Sequence, residues 1–175
     1  MSVRHYYTEF PSPIGTLRLL GTDMAVVGLF MDGHSPGPAL GKGARQDRSP
    51  LRTAREQVEE FLAGQRRVFN LRFEMEGTPF QKRVWGELLA IPYGGTRTYG
   101  WVAANIGCPL AARAVGAANR SNPLSLIVPC HRVLAASGAI SGYGGGVERK
   151  RFLLNLESQN SLLDWHPPMT RRRRG

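Results

Sequence analysis

Apolar and polar positions divide the chain into a β-rich start and a helical remainder. Thr16 to Leu20 and Met24 to Met31 are rich in β-formers, and Gly21-Thr22-Asp23 between them has turn chemistry, so the first 32 residues read as a β-hairpin. Residues 33–50 collect Gly, Pro, Lys and Arg without apolar periodicity, which predicts a surface loop. Leu51, Ala54, Val58, Phe61 and Leu62 fall on one face of a helix from Leu51 to Ala63, ended by Gly64. Val68, Asn70, Arg72 and Glu74 alternate with Phe69, Leu71, Phe73 and Met75, giving mixed strand character. Residues 1–76 therefore read as a small α/β domain built on an antiparallel sheet.

The pattern changes near Glu76-Gly77. Thr78, Pro79 and Gln81 form a helix-start signature: the Thr side chain accepts from exposed N–H groups, Pro suits the first helical position, and Gln reaches back. Phe80, Val84, Trp85, Leu88 and Leu89 then make an apolar face, broken by Ile91-Pro92-Tyr93-Gly94-Gly95. Tyr99 to Ile106 and Leu110 to Arg120 read as two short helices joined by Gly107-Cys108-Pro109, a helix-turn-helix. The second presents Ala111, Ala112, Arg113, Ala114, Val115, Gly116, Ala117 and Ala118. Such a surface permits close approach to another backbone, either a helix in the core or a DNA groove. Arg113 argues against a wholly buried face, because Arg is rarely buried unpaired. Long polar readers of the major groove are missing, so minor-groove contact with little base discrimination fits better. Residues 77–160 make a mostly helical C-terminal domain, and the whole reads as an α+β fold. A basic tail, 161–175, follows, and its Arg171 to Arg174 beyond Pro167-Pro168 predict disorder.

Charge sharpens this division. The net charge is +10, of which residues 1–76 carry +1, 77–157 carry +6 and 158–175 carry +3. The middle segment is basic independently of the tail, which suits phosphate chains, although solubility alone also explains it. No apolar run approaches the roughly 18–20 residues that span a bilayer, and the first residues lack a secretory signal's apolar stretch. No membrane partner is expected. Two cysteines make no disulfide framework, so a reducing cytoplasm is the expected location.

Chemistry concentrates at Pro129-Cys130-His131-Arg132-Val133, which follows an apolar run from Leu124 to Val128. The thiolate is the nucleophilic form of Cys, and nearby His or positive charge favours it. Adjacent side chains in an extended segment point apart, so proton transfer from Cys130 to His131 would need a bridging water. Glu157, following a helix read from Val147 to Leu156, is the acid expected behind the His. A free Cys can equally be buried and inert, and Cys108, with no His or acid nearby, is placed in that class. Two cysteines 22 residues apart match no zinc spacing, so neither metal nor cofactor is expected. Tyr143 sits in Ser141-Gly142-Tyr143-Gly144-Gly145-Gly146, where glycines permit a sharp loop close to a ligand; the Lys-Ser/Thr ending of a phosphate loop is missing.

Together these segments resemble the O6-alkylguanine-DNA alkyltransferases. The resemblance rests on Ile91-Pro92-Tyr93-Gly94, Thr98-Tyr99-Gly100, Ala112-Arg113-Ala114-Val115-Gly116, Asn122-Pro123, Ile127 to Val133 and Gly142 to Gly146, in the family's order over about residues 78–157. The N-terminal part matches loosely, best at Ser12-Pro13-Ile14-Gly15. The resemblance implies single-turnover transfer of an alkyl group from O6-alkylguanine in duplex DNA to Cys130, with O4-alkylthymine an open alternative substrate. It further implies that His131 activates Cys130 and Glu157 orients His131. Tyr99 would donate to the leaving guanine, and Asn122 would tie the recognition helix to the reactive loop. Arg113 would fill the stack behind the extruded base, with Ala112, Ala114, Gly116 and Arg120 along the DNA. Tyr143 and the backbone of Val133 and Gly144 would form the base pocket. No obligate protein partner is implied, and cooperative self-association on DNA is left open. Trp101 departs from the family pattern and is read as packing; the basic linker 41–52 and the tetra-arginine tail depart too. The rival readings are a non-catalytic damage-recognition module, which retention of Cys130 opposes, and a cysteine hydrolase, for which His5, His34 and His166 lack motif context.

Overall fold

The computed structural model describes residues 4–33 and 43–160. The tail 161–175, His34, His166 and half of the expected loop 33–50 lie outside them.

Three N-terminal strands, β1 (Tyr6–Phe10), β2 (Leu17–Gly21) and β3 (Val26–Met31), pair antiparallel in sequence order. β2 and β3 are the expected hairpin, closed by Thr22, whose N–H donates to the Ala25 carbonyl at 2.9 Å. β1 is an addition to the sequence reading. Its inward positions are Tyr6, Thr8 and Phe10, and a polar Thr inside with Tyr7 outside blurs the alternation. A short β4 (Arg45–Gln46) joins β1 in parallel, so the sheet runs β3-β2-β1-β4 and is mixed where an antiparallel one was expected. β4 also falls within the stretch expected as loop.

Helix α1 (Arg52–Leu62) buries Ala54, Val58, Phe61 and Leu62, as its periodicity predicts, and adds Gln57. That buried Gln explains a second correction. The segment 68–75 keeps its alternation, but no strand forms there: Phe73 makes one isolated bridge to Val26. Gln57 occupies the backbone instead, donating to the Asn70 carbonyl at 3.0 Å and accepting from the Asn70 N–H at 2.8 Å.

The C-terminal helices are α2 (Pro79–Leu89), α3 (Tyr99–Asn105), α4 (Ala112–Arg120) and α5 (Val147–Asn160). Thr78 and Gln81 form the expected reciprocal cap at the start of α2. Trp85 is buried and ties α2 to α4 by donating its indole N–H to the Ala118 carbonyl at 2.9 Å. β5 (Arg97–Thr98) and β6 (Val133–Leu134) pair in parallel, and Thr98 caps α3 by accepting from the Trp101 N–H at 3.1 Å. One apolar cluster runs from Phe10, Leu17 and Leu29 through Phe61 to Val84, Val102, Val115, Val133 and Leu153. No described helix is long and apolar enough to cross a membrane. The fold is α+β.

Candidate active site and DNA-facing helix

The reactive loop is built by backbone bonds from both halves of the chain. β3 contributes Leu29, whose N–H donates to the Pro123 carbonyl at 2.8 Å and whose carbonyl accepts from Ser125 N–H at 3.1 Å. Asn122 accepts from the Leu124 N–H at 2.9 Å and donates to the Val128 carbonyl at 2.8 Å, closing the turn between them. Inside that turn Leu126 adopts φ +70° while almost wholly buried, a conformation that costs a non-glycine residue about 1–3 kcal/mol. The loop delivers Cys130 into a 3-10 turn, Cys130–Arg132, and not the extended segment read from sequence. Asn119 on α4 fixes the turn by donating to the Cys130 carbonyl at 3.1 Å.

The turn aims His131 and Arg132 at one carboxylate. His131 Nε2 lies 2.6 Å from Glu157 Oε1. Arg132 donates from Nε to both carboxylate oxygens, at 3.1 and 2.9 Å, and from Nη2 to Oε1 at 2.9 Å. Gly94 N–H donates to Oε2 at 2.9 Å, and Arg132 Nη1 donates to the Ile91 carbonyl at 2.6 Å. Glu157 lies inside α5, one residue past the helix end read from sequence, and is the buried hub of three partners, His131, Arg132 and Gly94. Burial alone would raise its pKa; His131 and then Arg132 outweigh that and hold it down to about 2.

This ionised acid sets the imidazole tautomer. Burial lowers the His131 pKa, opposed by Glu157 and reinforced by Arg132 and Lys150. A neutral imidazole facing a carboxylate must place its proton on Nε2, which leaves Nδ1 as a bare acceptor. Nδ1 is buried and has no hydrogen-bond partner among the described residues. The preceding residue, Cys130, is 2% exposed. Burial pushes its thiol up, against Asn122, Lys150 and Tyr143, which favour the thiolate. The resting sulfur is a thiol, so a base is needed to ionise it.

Two further walls surround the sulfur. Tyr143 is buried, with its hydroxyl unpartnered among the described residues and its acidity suppressed by burial and by Cys130. Tyr99 donates its hydroxyl to the Ser141 carbonyl at 3.2 Å; burial and then Cys130 raise its pKa, while Arg120 lowers it. Lys150, fully buried, donates to the carbonyls of Val133, at 2.5 Å, and Ser141, at 2.9 Å, so it stitches the two sides of the pocket. Its ammonium is pulled down to about 8 by burial. Gly144 lies half-buried between Tyr143 and Gly145.

On α4, Arg113, Ala114, Ala117 and Arg120 are exposed, while Val115, Ala118 and Asn119 are buried. The small side chains therefore face solvent, which removes the reading of an interior helix contact. Ala112 and Gly116 are half-buried, and a Cβ added at Gly116 would touch the Tyr99 ring at 3.9 Å. Trp101, read as packing, is 37% exposed and carries the Arg97 guanidinium 5.0 Å above its ring.

The structure gathers Cys130, His131, Glu157, Tyr99, Asn122, Val133 and Tyr143 around the reactive loop and along α5, from Lys150 near its start to Glu157 near its finish, with Arg113 and Arg120 on the exposed face of α4. Sequence reasoning missed Arg132, Asn119, Lys150 and Gly94. Arg132 carried a readable signal, since a cation following an apolar run is inward only when an acid awaits it. Lys150 gave none, lying among Arg149 and Arg151 in a helix with mostly exposed charge.

The family model described as 6-O-methylguanine DNA methyltransferase, DNA binding domain, matches residues 79–159. The chain is 45% identical over 159 residues to the methylated-DNA–protein-cysteine methyltransferase of Mycobacterium tuberculosis, covering 91% of this chain and 96% of the relative. It is 45% identical over 153 residues to the Methanosarcina acetivorans protein of the same description, covering 87% and 97%. Among solved structures it is similar to the M. tuberculosis OGT in complex with DNA, with a TM-score of 0.84, 44% identity and coverage of 89% and 94%. A buried thiol backed by an imidazole and an ionised acid, on a fold shared at this level, places the chain in the methylated-DNA–protein-cysteine methyltransferase family.

Proposed function

We propose that the chain repairs duplex DNA directly and irreversibly, moving an alkyl group from the O6 of guanine to Cys130 Sγ. The carrying observation is the contact between Glu157 and His131 Nε2 at 2.6 Å, which leaves an unpartnered Nδ1 on the residue that follows a buried thiol. In the reaction the Cys130 proton passes through a bridging water to Nδ1, and Glu157 stabilises the resulting imidazolium. The S–C bond forms as the O6–C bond breaks. The departing guanine receives a hydrogen bond from Tyr99, which must first leave the Ser141 carbonyl, and the proton taken up by His131 returns through water to neutralise the displaced base. The thioether is stable and no described group regenerates the thiol, so each molecule acts once.

The target nucleotide must leave the helix to reach this site, at a cost of a few kcal/mol that poor pairing of an alkylated guanine reduces. Arg113 fills the vacated stack; Ala112, Ala114 and Gly116 allow α4 to lie close to the minor groove, and Arg120 meets a phosphate. Tyr143 and the backbone of Val133 and Gly144 receive the base. Asn122 couples the reactive loop to α4. Duplex DNA with O6-alkylguanine is the partner, the cytoplasm is the expected location, and O4-alkylthymine is a secondary substrate to be assayed alongside.

The test is a duplex carrying one O6-methylguanine, followed by intact mass and peptide mapping. The expected result is one added methyl on the Cys130 peptide, a burst equal to the protein concentration, and no further turnover. Continued turnover, or the methyl on another residue, sinks the proposal. An Arg113→Ala variant is expected to lose about tenfold or more in duplex repair, since each 1.4 kcal/mol of lost support for the extruded base is a factor of ten. Its transfer from free O6-methylguanine should stay within about twofold; equal losses on both substrates would refute the finger role.

A further inference from the structure

A cavity of about 180 Å³ opens where the segment 67–73 lies over the end of α2 and the reactive loop. Val68, Phe69, Leu89, Pro92 and Ile127 supply its apolar walls and exposed Arg67 its rim; none of the lining comes from α3 or α4. Val68 is 74% exposed and Leu89 42%, so the groove holds apolar surface in water, where cover would be favourable by about 25 cal/mol per Å². An apolar void of about 150 Å³ already accepts benzene, so this one has room for an aromatic ring or a branched aliphatic side chain.

The end of α5 sits at the same rim. Arg67 donates to the Asn160 carbonyl at 2.5 Å, and the Asn160 amide donates to the Tyr93 hydroxyl at 3.4 Å. Arg67 and Tyr93 both line the cavity. The next residues in the sequence are Ser161-Leu162-Leu163-Asp164-Trp165, three large apolar side chains around the only acidic residue after Glu157. At about 3.3 Å per extended residue, Leu163 and Trp165 can reach about 10 and 17 Å from Asn160. Length, hydrophobicity and charge all match the groove.

We propose that Ser161–Trp165 occupies this groove, seating Leu163 and Trp165 against Val68, Phe69, Leu89, Pro92 and Ile127, with Asp164 near Arg67. The cavity is also lined by Pro129 and Arg132, which flank Cys130 on either side. The C-terminal segment thereby braces the loop that carries the nucleophile, a role separate from any DNA affinity of Arg171 to Arg174.

Hydrogen exchange on the full-length chain tests this, because local opening reports local cover. Leu163→Asp combined with Trp165→Ala should speed exchange at least fivefold in the described amides of 67–70 and 126–128, while replacing Arg171 to Arg174 by Ala should leave those amides unchanged. Unchanged exchange in the Leu163/Trp165 variant overturns the proposal. So does protection that grows with protein concentration alongside a dimer in sedimentation, which would make a second copy the occupant. A full chain with benzoylphenylalanine at position 163 gives a reading independent of the substituted variant's folding. Crosslinks should map to 67–69, 89–92 and 127, and crosslinks elsewhere or between chains reject it.

Discussion

A Glu157→Gln variant is expected to lose stability and alkyl transfer together. The carboxylate accepts from His131, Arg132 and Gly94, and at 1% exposure no solvent can replace it. The amide keeps the shape, but its NH2 must meet one of those donors, and the Arg132 guanidinium is left charged without a counterion. Breaking a buried ion pair from one side costs about 3–5 kcal/mol. For a chain of this size that is a fall in Tm of about 10 °C. The same change frees the His131 tautomer, so the base at Nδ1 is no longer guaranteed, and a general base is worth about 10²–10⁴ in rate. A variant that melted like the parent and transferred methyl at the parental rate would dismantle the relay. The pH dependence has a definite sign. Glu157 has a folded pKa of about 2, below its ordinary 4.5, so its contribution is complete above pH 4.5 and disappears as pH falls from there to 2. It amounts to about 3 kcal/mol. Acid unfolding of the parent should show this step, and Glu157→Gln should lack it.

Cys130→Ala is expected to show the opposite division, losing all transfer and little stability. The sulfur is a small buried group, and its removal costs about 1 kcal/mol. Affinity for the alkylated duplex should stay within about twofold, because the exposed face of α4 and the Arg113 and Arg120 cations on it are untouched. Intact mass should remain unmodified after hours with excess substrate. Cys108→Ser is the matched control. Cys108 is half-buried near Arg83, 3.8 Å from Nη2, and its loss should leave the burst at one methyl per chain. Transfer surviving in Cys130→Ala would move the nucleophile elsewhere.

What could be read beforehand follows from how local each cause is. The cap at Thr78 and Gln81, the apolar period of α1 and the turn between α3 and α4 are decided within a few residues, and each appears where expected. Cys130 and His131 were nameable from the chemistry of adjacent residues, and Glu157 as an acid after a helix in a basic region; the resemblance to a known family then gave each its role. The extended geometry expected around Cys130 failed because Asn119, far along the chain, pulls that carbonyl into a 3-10 turn. β4 and the lost strand at 68–75 failed for a similar reason. Their fate rests on Tyr6 and Gln57, partners that no local pattern announces. Lys150 looks like any charged helical residue until Val133 and Ser141 fold back over it.

The hydrogen bonds that Leu29 donates to Pro123 and accepts from Ser125 have an evolutionary corollary. They are made by main-chain atoms alone, so they constrain the path of β3 while leaving the choice of side chain there almost free, proline excepted. A splint of that kind lets the first half of the molecule drift in sequence while the chemistry downstream stays registered.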